Sequence, residues 1–224
     1  MKQLAFGMAL ILTTAAMAAD TPAERLTEAA NVLGEVMRTP DKGIPQDLLS
    51  KAECVIVVPG LKKAAFVVGG QYGRGFVECR QADGLGWGSP AAVRVEGGSV
   101  GFQIGGSSTD VIMLVMNKNG MQKLMGDKFT LGADASVAAG PVGRTAKADT
   151  NVRMDAEILA WSRAKGLFAG ISLNGATLRP DHDVNAELYG KKVTNQEIIG
   201  GNMTAPPAAQ SLRDALTKYS MTGK

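Results

Sequence analysis

One histidine, His182, is all this 224-residue chain has, and that scarcity excludes more than any other count. Zinc centres lean on histidine, and no second one exists to complete such a site. Asp181 and Asp183 flank His182, but three consecutive side chains do not converge on one ion, and an acidic helix start is the better reading. A large charge excess is missing too. Lys and Arg number 24 against 21 Asp and Glu, a net +3, too little to imply nucleic acid. After the first residues no apolar run approaches the roughly 20 residues that cross a bilayer. No period of solenoid length recurs. What is present is a composition that can build a core, 45% hydrophobic and 20% charged, with 28 glycines that read as turns between strands.

The amino terminus has the three-part layout of a secretory signal peptide. Lys2 supplies a short positive start, residues 4–17 are apolar, and Ala16-Met17-Ala18 is an A-x-A cleavage site. No cysteine lies near the cleavage point, so an N-terminal lipoprotein anchor is not expected. The expected organisation is a signal peptide over residues 1–18, an amphipathic helix and linker over 19–44, a main domain over 45–200, and a linker with a last helix over 201–224. In an exported chain, Cys54 and Cys79 permit a disulfide. Two buried thiols are the other reading, and the disulfide is preferred.

Residues 21–38 predict a helix. Thr21 precedes Pro22, and Glu24 stands three residues on, as in a capping box. Leu26, Ala29, Ala30, Leu33, Val36 and Met37 recur at three- and four-residue spacing, and Pro40 ends the pattern. A short helix over 45–53 follows. Strands are then predicted over 54–58, 64–68, 75–80, 91–96, 99–104 and 110–116, with Pro59-Gly60, Gly69-Gly70 and Gly97-Gly98 as turns between them. A helix over 118–127, strands over 157–163 and 167–173, and helices over 181–189, 194–199 and 211–219 complete the reading. The fold class is α+β, with a mostly antiparallel β-barrel or sandwich-like core and short flanking helices at both termini.

Two glycine-rich stretches imitate chemistry. Residues 97–101 match the G-x-S-x-G elbow around Ser99, but a strand follows where the elbow needs a helix, so a hairpin is the better reading. Residues 69–75 resemble a phosphate loop, again without the helix that would open on its last glycine. No cofactor is implied. Basic residues gather near predicted turns: Lys62 and Lys63, Arg74, Arg144 and Lys147, Arg163 and Lys165, Lys191 and Lys192. Turns at one end of a barrel can converge such charges into one patch.

Ordered blocks across residues 45–200 resemble the SYLF lipid-binding domain family. They are Cys54-Val-Ile-Val-Val-Pro59, residues 65–73 (AFVVGGQYG), Trp87-Gly88-Ser89-Pro90, residues 101–106 (GFQIGG), residues 131–144 (LGADASVAAGPVGR), Gly166-Leu167-Phe168-Ala169-Gly170, and Asn185 with Tyr189-Gly190. The resemblance implies a non-enzymatic domain. Members of the family bind phosphoinositides through an amphipathic helix and basic residues, and some bind actin. For an exported bacterial member it implies a periplasmic or secreted protein, peripherally associated with membrane, whose partner is an envelope phospholipid. The residues then expected at the lipid are Lys62, Lys63, Arg74, Arg144, Lys147, Arg163 and Lys165, with Leu26, Leu33, Val36 and Met37 as the inserting face. Glu24, Glu28 and Glu35 depart from a strong lipid helix. The second reading is an interaction module that docks on another envelope protein.

Overall fold

The structure, a computed structural model, describes residues 20–39, 43–65, 68–81, 86–100, 105–143, 156–164, 166–201 and 203–220. Helix α1 (Pro22–Arg38) begins where the sequence places it. Thr21 Oγ1 accepts from the Glu24 amide at 3.2 Å, and the Glu24 carboxylate accepts from the Thr21 amide at 2.8 Å. Two otherwise orphaned amides are thereby satisfied. Helix α2 (Gln46–Lys51) leads into β1 (Cys54–Ala65), β2 (Val68–Cys79), β3 (Ala91–Val100) and β4 (Gly105–Val115). Then come α3 (Lys118–Leu124), β5 (Phe129–Thr130), β6 (Val137–Ala139), β7 (Ile158–Ala164), β8 (Leu167–Gly170) and β9 (Thr177–Pro180). Helices α4 (His182–Tyr189) and α5 (Asn195–Gly200), a 3-10 turn at Pro207–Ala209 and α6 (Gln210–Ser220) close the described chain.

The strands form one curled sheet, a half-barrel, in the order β5-β9-β3-β2-β1-β4-β7-β6, with β8 also paired to β7. Every pairing is antiparallel except β6 with β7. The expected fold class, α+β with a mostly antiparallel β core and short helices at both termini, is the one observed. Both faces of the sheet are covered. Val55 and Val57 of β1 join Leu26, Leu33, Leu49, Leu212 and Leu216 in a helix-covered core. Cys54, Ile56 and Val58 face the other way, toward Leu124, Leu131 and Ile198. This double burial is why residues 54–58 are apolar without interruption instead of alternating.

The central strands are longer than expected. Pro59-Gly60 does not end a strand but forms a bulge inside β1, where the register shifts between Val57 and Lys62 against β2 and between Val58 and Leu61 against β4. Proline lacks an amide donor, so it fits where the ladder is already interrupted, and Gly60 takes a positive φ of 60° beside it. The three predicted strands of residues 54–80 are therefore two twelve-residue strands of one hairpin. Gly97-Gly98 is likewise inside β3, opposite Gln71 and Gly70. The hairpin makes Cys54 and Cys79 register partners, and the two are joined by a disulfide with an S–S distance of 2.07 Å.

Candidate binding cleft

A solvent-open cleft of about 950 Å³ lies between the amino-terminal half of α1 and the bulged part of β1. Asp20, Glu24, Arg25 and Glu28 line one wall; Pro59, Gly60 and Lys62 of β1, Tyr72, Gly73 and Arg74 of β2, and Ser108 and Asp110 of β4 line the rest.

Asp110 holds the bulge in place. One of its oxygens accepts from the Gly60 amide at 2.9 Å, and the other meets the Arg163 guanidinium at 2.8 Å. Arg163 also pairs with Glu35, tying the sheet to α1. Burial raises the Asp110 carboxyl above its usual range; the Gly60 N–H opposes this, and the charge of Glu28 adds to it. The Arg163 charge is divided between Asp110 and Glu35 and does not reverse that direction.

Arg74 is the other fixed point. Its Nε lies 2.8 Å from the Tyr72 hydroxyl and 2.9 Å from Oδ2 of Asp181, whose side chain is 1% exposed. The other Asp181 oxygen caps α4 at the Val184 amide. Burial works against the guanidinium charge, but Asp181, Tyr72 and Asp183 outweigh it, so Arg74 holds its proton more firmly than a free arginine. Tyr72 is 44% exposed, unusual for a large apolar ring here, and presents it to the cleft.

The expected site residues divide sharply. Lys62 and Arg74 meet in this cleft, with Lys62 exposed. Lys63, the next residue along β1, is half-buried and does not line it. Arg163 is committed to Asp110 and Glu35. Leu26, Leu33 and Val36 are buried in the helix-covered core, with Met37 half-buried against it, so the apolar stripe of α1 is spent on the protein's own interior and is not an inserting face. Arg144, Lys147 and Lys165 lie outside the described residues, as does the signal peptide expected over 1–18. Ser99 sits within β3, opposite Gly69, and residues 101–104 after that strand lie outside the described residues. Asp181 caps α4, in line with the acidic helix start read around His182. Tyr72, Ser108, Asp110 and Asp181 were not among the expected site residues. The pattern Gly70-Gln71-Tyr72-Gly73, an aromatic set among glycines, is the one sequence signal that could have found Tyr72.

A family described as Las17-binding protein actin regulator (Ysc84) matches residues 96–219. The chain belongs to the Ysc84 family. An SH3 domain-containing protein of Schizosaccharomyces pombe is 36% identical over 172 residues, 75% of this chain and 40% of that protein. SH3 domain-containing YSC84-like protein 1 of Bos taurus is 31% identical over 182 residues, 81% of this chain and 53% of the relative. LAS seventeen-binding protein 3 of Saccharomyces cerevisiae is 33% identical over 175 residues, 77% and 38% of the two chains. The chain thus spans about half or less of the length of these relatives.

The Ysc84 relatives correct the setting read from the amino terminus. They are proteins of yeasts and vertebrates, and the family is described by actin regulation. This overturns the exported bacterial member, the periplasmic or secreted location, and the bacterial cell envelope as the setting for a lipid or protein partner. None of these relatives is named for a reaction. Among the described residues no helix is long and apolar enough to cross a membrane.

Proposed function

We propose that this chain is a non-catalytic protein-binding module of actin regulation, and that it takes a segment of its partner into the cleft between α1 and the bent β1–β2 hairpin. The observation that carries this reading is the bonded pair Tyr72 and Arg74, with the exposed Lys62 beside them, facing Glu24 and Glu28 of α1 across an open cleft. A pre-positioned arginine and an exposed tyrosine are the residue types that dominate protein recognition, because each offers a large contact at small cost in lost rotamer freedom. Mixed charge on the two walls supports a polypeptide ligand with both signs of charge over a single anion. The family description adds the class of partner: relatives are named for binding Las17.

The test is a pull-down with purified Las17 beside co-sedimentation with actin filaments, using wild type and Lys62→Glu/Arg74→Glu. Wild type is expected to bind at least one of the two, and the double variant to lose at least about tenfold in affinity with its circular dichroism unchanged. Binding to neither by wild type overturns the proposed function, and undiminished binding by the variant moves the site out of the cleft.

A further inference from the structure

The helix-covered face of the sheet buries a carboxylate. Glu78 of β2 is 0% exposed, and neither carboxylate oxygen has a hydrogen-bond partner among the described residues. Alternation along β2 puts it on the same face as Phe76, within the core that Leu212 and Leu216 of α6 help to cover. Its register partner on β1 is Val55.

Among the described residues, the charged and titratable groups near Glu78 each make a hydrogen bond to another partner. Arg213 of α6 lies near enough to act on it electrostatically, but its Nη2 donates to the Trp87 carbonyl at 3.1 Å. The Tyr189 hydroxyl of α4 feels Glu78 and donates to the Pro90 carbonyl at 2.6 Å. Arg80, two residues along β2, turns to α2, where it donates to the carbonyls of Leu49, Ser50 and Ala52 and lies over the Trp87 ring. Burial therefore raises the Glu78 carboxyl well above its ordinary range, with Arg213 only drawing it back.

Helix α6 follows a connection punctuated by Gly200-Gly201 and Pro206-Pro207. It is held by the packing of Leu212 and Leu216, by the Trp87 Nε1 bond to Ser220 Oγ at 3.2 Å, and by the Ser89 hydroxyl on the Met203 carbonyl at 2.6 Å. With the Arg213 bond to the Trp87 carbonyl, these contacts seat α6 on a core in which the unpartnered Glu78 cannot ionise without water or a partner.

We infer that Glu78 is a proton-operated latch beneath α6: the helix stays seated while the carboxyl is neutral, and lifts when Glu78 ionises. The sign follows from linkage. The seated carboxyl has a raised pKa, and the carboxyl uncovered by a lifted α6 returns to the ordinary one. The advantage of the seated form is full below the ordinary carboxylate range and is lost as pH rises toward the raised value of Glu78. With one proton involved, opening increases by up to about tenfold per pH unit across that window.

Hydrogen exchange of the α6 amides, corrected for intrinsic exchange, tests this between about pH 5 and pH 8. Wild type is expected to lose α6 protection as pH rises while the β1–β4 amides keep theirs, and Glu78→Gln to remove the slope. An equal slope in both proteins, or none in wild type, overturns the latch. Infrared spectroscopy of wild type gives a reading that needs no folded variant. The carbonyl stretch of a protonated carboxylic acid is expected to persist above the ordinary carboxylate range, and its absence there overturns the proposal as well.

Discussion

At the scale of single residues, the cleft depends on what is missing from the backbone as much as on what projects from it. A Cβ built on Gly75 would stand 2.1 Å from the Val57 carbonyl oxygen, a contact with backbone that no rotamer can relieve. One on Gly73 would stand 2.8 Å from both Leu61 and Val58 side chains. These two bare positions bracket Arg74 and let β2 run close under the bulge, which aims the guanidinium at Tyr72 and Asp181. Gly75→Ala is therefore expected to lower stability to urea by about 1–3 kcal/mol through forced backbone movement. A change within about 0.5 kcal/mol would show that the hairpin is not that close. The sequence announces these glycines as turn formers, because composition alone cannot distinguish a glycine that reverses the chain from one that lets two strands approach. The cations were visible as Arg74 and Arg163; their acidic partners Asp181 and Asp110 were not, since each is a partner only through long-range pairing.

At the scale of elements, helices were read more faithfully than strands. The capping box of Thr21 and Glu24 and the second box of Thr194 and Glu197 are local chemistry, complete within four residues, and both form. Strand ends are decided by partners. Pro59-Gly60 and Gly69-Gly70 carry every local sign of a turn, yet pairing of β1 with β2 and β4 carries the chain through the first, and pairing of β2 with β1 and β3 carries it through the second. The consequence reaches Cys54 and Cys79. Three short strands in a meander would set them far apart, whereas one long hairpin makes them neighbours, 25 residues apart in sequence. Closing a loop of that size in the unfolded chain is worth about 3 kcal/mol. The double variant Cys54→Ala/Cys79→Ala is expected to lose about that much in urea or guanidinium unfolding while keeping the sheet. Unchanged stability would mean that the bridge is not formed in the protein in solution.

At the scale of the whole molecule, the sheet is buried on both sides, and this settles what α1 does. An amphipathic helix beside a domain invites a membrane reading, but its apolar stripe has a sheet and α6 to cover it. Its polar face, with Glu24, Arg25 and Glu28, instead becomes a wall of the cleft beside Asp20. The half-barrel thus presents α1 and the bent hairpin as one rigid surface, in a family described by binding Las17 and regulating actin. The most direct check on that account is a map of backbone amide chemical shifts as purified Las17 is added to the isotope-labelled chain. The account predicts that the perturbed amides cluster at Gly60, Lys62, Tyr72, Gly73, Arg74 and Ser108 and along the first turns of α1. Perturbations gathered instead on β8 or α6, with the cleft silent, would contradict it.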